Sequence, residues 1–263
     1  MRAAYALARR EVVRFLRQPS RIVGAFAPPL LAWLLLGAGF GASFRAPGGA
    51  SYLGWFFPGT VVLVVLFAAI FSTISVIEGR REGFLQAVVV SPASPLSVAA
   101  GKIAGGTLLA LAQGGVLLAL APLLGFAPSA AALAPALIVL ALVALALTGL
   151  GLAIAWMLES TQGFHAVMNL VLIPMWFLSG SFFPAEGAPA WLRAAMAANP
   201  LTYGVASLRR ALDPAAAAGP SATFSVVVTL AFALGAALAA AAVIARFPAG
   251  PDRPARPSRR KQP

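Results

Sequence analysis

The sequence predicts an all-α integral membrane protein. Its parts are six transmembrane helices, an interfacial helix at the start, a cytosolic charged helix between spans two and three, and an outer helical hairpin before the last span. Three observations point there. The chain is 60% hydrophobic with only 10% charged residues, where a soluble domain carries about 25% charged. Six apolar runs reach the roughly 20 residues that a helix needs to cross the hydrocarbon core. The lysines and arginines gather in alternate connections rather than spreading along the chain.

The spans fall at about 22–44, 54–77, 103–125, 132–158, 164–183 and 222–245, which makes 1–245 one membrane domain. Pro28-Pro29 lies inside the first; a membrane helix tolerates this because neighbouring helices re-satisfy the freed carbonyls. Glycine pairs such as Gly101/Gly105 have the spacing that lets helix backbones approach closely. Within 1–21, Tyr5, Ala8, Val12, Phe15 and Leu16 share one helical face and Arg10, Arg14, Arg17 and Arg21 another. That is the pattern of a helix lying in the membrane interface. The basic region is too long, and the apolar run after it too extended, for a cleaved signal peptide. The tail, 246–263, is rich in Pro and Arg and is expected to be a disordered basic cytosolic segment.

Of the 19 basic residues, all but Arg45, Arg193, Arg209 and Arg210 fall on one parity of connections. The positive-inside rule therefore puts both termini in the cytosol. The net charge of +12 then reads as a topology signal with some attraction for anionic lipid, not as a nucleic-acid footprint.

Catalytic chemistry finds little to work with. There is no cysteine and one histidine, His165, a poor basis for a metal site. The seven acids lie in connections or at span ends, whereas ion-coupled transporters usually place an ionisable group at membrane depth. "SPLSVAAGKI" lacks the first glycine and the Ser/Thr of a phosphate-binding loop, and "GLGLAI" has Ile where a dinucleotide motif needs its third glycine. No ATP or other cofactor is expected on this chain.

"EGRREGFLQAVVVSPASPLSVAAGK" (78–102) is the polar exception. Residues 78–90 read as a short amphipathic helix with Phe84, Leu85 and Val88 on one face, ended by Ser91-Pro92. Ser94 is placed to cap a new helix with Pro95 in its first turn, running directly into span three. A second unusual stretch covers 184–212, too apolar for an exposed loop and too broken to span. Ala190 to Ala198 is about 14 Å of helix at 1.5 Å per residue, half a hydrocarbon core. Asn199-Pro200 stops it and a second short helix follows. A hairpin dipping in from the outer face is expected, against the alternative of a pair lying flat. It would form an outer gate from Phe183, Pro184, Trp191, Asn199, Pro200, Tyr203 and Arg209, with Trp191 and Tyr203 near the headgroups. Arg209 and Arg210 would return to the headgroup zone, to meet anionic substrate groups or lipid phosphate.

"REGFLQAVVVSPASPLSVAAGK" resembles the cytosolic loop of type-2 ABC exporter permeases, the drug, lipo-oligosaccharide and polysaccharide export permease family. "FLSGSFFPAEGAPAWLRAAMAANPLTYGVASLRRAL" (177–212) resembles the block before that family's last span. "QAVVV" departs from the family, many of whose members are more charged and Leu-rich there. The resemblance implies a non-enzymatic half-transporter in the bacterial inner membrane. It would pair with a second permease subunit, identical or not, and be driven by separate cytosolic ABC ATPase subunits that bind ATP and Mg. The segment 78–91 would be the coupling helix, with Glu78, Arg81, Glu82, Gly83, Phe84 and Leu85 at the ATPase. The substrate would be amphiphilic or hydrophobic and move outward. A secondary transporter or channel working without an ATPase is the competing reading, and a lipid-modifying membrane enzyme a third.

Overall fold

The structure is a computed structural model that describes residues 2–41, 51–82, 94–124, 126, 130–213 and 219–247. Among these, every regular element is a helix. The elements are α1 (Arg2–Leu16), α2 (Pro19–Phe40), α3 (Tyr52–Arg81), α4 (Pro95–Ala119), a 3-10 turn (Ala121–Leu124), α5 (Ala130–Met157), α6 (Thr161–Trp176), a π turn (Phe177–Ser181), α7 (Ala190–Ala198), α8 (Pro200–Leu212) and α9 (Ala222–Arg246). Six segments are long and apolar enough to cross a membrane: Pro19–Phe40, Tyr52–Arg81, Pro95–Leu123, Ala131–Met157, Thr161–Ser181 and Ala222–Arg246. They match the six expected spans, with ends displaced by a few residues. The largest shifts are where α3 runs on to Arg81 and α4 begins at Pro95.

α3 is the axis of the bundle. It packs against α2, α4 and α5, and α5 in turn packs against α9. Of its most apolar window 89% is buried, against 17% for α2, so α3 is surrounded by protein while α2 turns Val23, Leu31, Leu34 and Leu35 outward. Three threonine hydroxyls inside the bundle return to their own helices: Thr60 donates to the Phe56 carbonyl at 3.1 Å, Thr73 to Ala69 at 2.9 Å and Thr229 to Ser225 at 2.8 Å. An apolar interior leaves such groups no other low-cost partner.

Local chemistry fixes the helix starts. Ser94 accepts from the Ser97 amide at 3.2 Å with Pro95 in the first turn, as the sequence predicts. Ser51, Ser160 and Ser221 cap α3, α6 and α9 in the same manner.

α1 differs from its sequence-based description. Leu7, Glu11 and Phe15 are buried, while Tyr5 and Leu16, assigned to the apolar face, are exposed. The reason is α4, on which α1 lies. A Cβ on Gly101 would come within 2.7 Å of the Ala4 carbonyl, and one on Gly105 within 3.0 Å of the Ala8 carbonyl. The Gly101/Gly105 pair is thus a groove that receives the α1 backbone.

Candidate functional site

Two clusters lie at opposite ends of the bundle. One, the basic end, brings together α1, the end of α3, the start of α4, the α5–α6 turn and the end of α9. Arg14 Nη2 donates to Glu78 at 3.1 Å and to Glu82 at 2.7 Å, and Arg21 Nη2 donates to Glu78 at 2.6 Å. Arg21 Nη1 also donates to the Phe71 carbonyl at 3.0 Å. Beneath them Lys102 donates to Glu11, and Ser75 donates to the other oxygen of that carboxylate. On the other side of α3, Arg80 donates to the carbonyls of Trp156 at 2.8 Å and Leu158 at 3.0 Å. Trp156 Nε1 donates to the Phe247 carbonyl at 2.8 Å, which joins α9 to the same end.

This arrangement places the expected coupling residues unevenly. Glu78 and Arg81 belong to the last helical stretch of α3 and not to a separate helix beginning at 78. Glu78 faces Arg14 and Arg21 within the chain, so its carboxylate is already engaged. Arg81 and Glu82 are exposed. Gly83, Phe84 and Leu85 lie outside the described residues, as does the expected helix beyond 82. In the sequence Arg14 and Arg21 stand out only as part of a basic helical face, and Glu11, Ser75 and Lys102 are not placed in a site. Lys102 carried the only available signal, a charge inside an otherwise apolar helical run.

At the far end, α6 gives way to a π turn in which Gly180 has φ +75°, a conformation that side chains with a Cβ rarely adopt. α7 and α8 occupy 190–198 and 200–212, the limits expected for the hairpin. Asn199 joins them: Oδ1 accepts from the Leu201 amide at 3.1 Å, and Nδ2 donates to the Met175 carbonyl at 2.6 Å. Thr202 donates to the Leu178 carbonyl in the π turn at 3.2 Å and to the Met196 carbonyl in the last turn of α7 at 2.7 Å, where helix-end acceptors lack intrahelical partners. Gly204 sits where a Cβ would meet Val143 of α5 at 2.6 Å.

Trp191 is exposed, whereas Tyr203 is buried and donates to the Ala197 carbonyl at 2.7 Å. Pro200 opens α8. Phe183 packs edge-on against Phe182, which belongs to a ring cluster with Tyr52, Phe56 and Phe177.

Arg209 is held inside the fold, only 6% exposed. Its Cζ stands 3.7 Å over the Trp55 ring, and Nη2 donates to the Gly180 carbonyl at 2.8 Å and the Trp55 carbonyl at 3.4 Å. Burial lowers its pKa to about 10, with Glu186 acting in the opposite sense, so it remains a cation at neutral pH. The helical register of α8 explains the burial: Leu201, Val205, Leu208 and Leu212 face the core, and position 209 falls beside 205 and 212 on that side. Arg210, one position on, reaches the Pro220 carbonyl at 2.6 Å.

Ser75 does lie against the Glu11 carboxylate and Lys102, but all three side chains are buried, and among the described residues no three His, Asp or Glu gather as metal ligands. What the two ends share is α3, a long helix clamped at both. A family model described as ABC-2 type transporter matches residues 2–212. The chain belongs to the ABC-2 type transporter family. Nodulation protein J of Rhizobium leguminosarum bv. trifolii is 30% identical over 190 residues, covering 72% of each chain. The transport permease ycf38 of Cyanophora paradoxa is 28% identical over 213 residues, 78% of this chain and 72% of that one. The daunorubicin resistance ABC transporter permease protein DrrB1 of Streptomyces coeruleorubidus is 23% identical over 202 residues, 76% and 71%. The ABC-2 chain is thus a multi-pass transport permease.

Proposed function

We propose that this ABC-2 permease is the membrane half of an ATP-driven exporter, moving an amphiphilic or hydrophobic substrate outward between two permease subunits. Separate cytosolic ABC ATPases, which hold ATP and Mg, supply the energy. The observation that supports this most directly is the clamping of α3. At the basic end it is tied by Arg14, Arg21 and Arg80, and at the far end Trp176 donates to its Gly59 carbonyl at 2.8 Å. A force applied beside Glu82 would reach the π turn through one buried rod.

The basic end is the cytosolic side in this reading, because it collects the arginines that stay inside, and the membrane is the bacterial inner membrane. Arg81 and Glu82, with the following Gly83, Phe84 and Leu85, would face the ATPase. The hydrogen bonds from Asn199 to Met175 and from Thr202 to Leu178 anchor the turn of the hairpin to the last turn of α6 and the π turn after it, and in this reading the hairpin dips inward from that end. Nucleotide-driven closure shifts the permease population only as far as the ATPase binds its two states differently.

Among the described residues the buried Glu11–Lys102 pair is the feature that suits an ion-coupled carrier instead. It lies near an end of the bundle and is internally neutralised, which weighs against that role. Purifying the tagged chain from its native membrane decides. Co-purification of a vanadate-sensitive ATPase subunit is expected. Transport that persists after ATP depletion, with no ATPase retained, would support the carrier reading.

A further inference from the structure

The cavity beside α8 is lined by two residues with buried donors that are unused among the described residues. It has a volume of about 70 Å³ and is lined by Trp55, Gly180, Pro184, Glu186, Met196 and Arg209, among others. Arg209 Nε and Trp55 Nε1 are both buried, and neither has a hydrogen-bond partner among the described residues. No carboxylate lies within ion-pair distance of Arg209 among the described residues. Glu186, exposed on the loop before α7, lines the same cavity. A buried guanidinium held, among the described residues, by carbonyls and a ring face is an unusual arrangement, because buried charges are normally paired. Its planar fork matches a carboxylate or phosphate.

We infer that this cavity binds a phosphate- or carboxylate-bearing group, the charged head of an amphiphile that reaches the far end of the bundle. Arg209 supplies the charge and Trp55 Nε1 a second donor. At ~10–15 Å³ of such space per water the cavity has room for several waters, which admits an acidic head and leaves its tail outside. Met196, Pro184 and Ala206 line the walls against which the first carbons of such a tail would lie. Glu186 opposes the incoming charge and tunes the site for release over retention. Naming an amphiphile as the source rests on the export function proposed above; the anion site itself stands on the geometry.

The test uses the full chain in phosphatidylcholine nanodiscs without any ATPase, so its outcome is independent of whether an ATPase partner exists. Dodecyl phosphate, inorganic phosphate and dodecyltrimethylammonium are titrated calorimetrically, with empty discs subtracted. Arg209→Gln is expected to weaken dodecyl phosphate binding by roughly tenfold or more, the loss of a charge-assisted hydrogen bond. Glu186→Gln, by removing a like charge, is expected to tighten it by about threefold. Stronger binding of dodecyl phosphate than of inorganic phosphate assigns the site to an amphiphile's head, and equal binding supports the site with a soluble anion as its source. Equal affinity for the cationic detergent, or one dodecyl phosphate affinity across all variants, overturns the inference. Should Arg209→Gln fail to fold, Arg209→Lys and Glu186→Gln decide, and unchanged affinity in both overturns it equally.

Discussion

Glu11 and Lys102, 91 residues apart in sequence, form a buried ion pair, each side chain 4% exposed. The pair fastens α1 to α4, and Ser75 adds α3 by donating to the same carboxylate. Removing one partner would leave the other charge buried and uncompensated, at a cost on the order of 3 kcal/mol. Glu11→Gln and Lys102→Met should each lower the midpoint of denaturant unfolding in detergent, and the double variant should recover most of the loss. Additive losses would show that the two groups act independently.

The Gly101 groove makes a separate prediction. Leucine at this position has nowhere to go, because the Ala4 carbonyl lies 2.7 Å from the Cβ site. Gly101→Leu should lift α1 off α4, with a loss of roughly 1–3 kcal/mol from overpacking. The chain has no native cysteine, so Ala8→Cys can report on the contact. Its modification by a soluble maleimide should be slow in the parent and fast alongside Gly101→Leu. Equal rates would place α1 away from α4.

Glu82 is the exposed member of the Arg14–Glu78–Glu82 cluster, its side chain 53% accessible. If the surface beside it receives an ATPase, Glu82→Lys should leave the amount of inserted protein unchanged while reducing ATPase retention and transport. Arg14 keeps Glu78 as a partner in that variant. Full retention of the ATPase with normal transport would remove this surface from the coupling path.

Membrane sidedness is open to direct labelling. Ser51 begins α3 at the far end and Ser97 lies in the first turn of α4 at the basic end. In intact cells an impermeant thiol reagent should modify Ser51→Cys and spare Ser97→Cys. The reverse pattern would invert the assignment.

Depth along the hairpin is measurable as well. Trp191 and Ala198 are seven residues apart on α7, about 10 Å along a helix. Spin labels at Ala195→Cys and Ala198→Cys should respond progressively more strongly to a quencher deep in the bilayer, with Trp191 the shallowest. A single shallow depth for all three would mean that the hairpin lies flat.

Much of this architecture was legible in the one-dimensional pattern. A bilayer imposes a fixed length and apolarity on any helix that crosses it, so six spans follow from composition alone. The caps at Ser94 and the break at Asn199-Pro200 are equally local, because they depend on a residue's own backbone and its next few neighbours. Tertiary structure decided which charges are used internally. Glu78, expected beside the ATPase, is met within the chain by Arg14 and Arg21 from α1 and α2, and Arg209, expected near the headgroups, is met by Trp55 and Gly180. Glu11 and Lys102 carried no signal of each other across 91 positions. Hydrophobic pattern records only how apolar each face is. Which cation meets which anion depends on how helices distant in sequence pack, and that is set by shape at places such as the Gly101 groove.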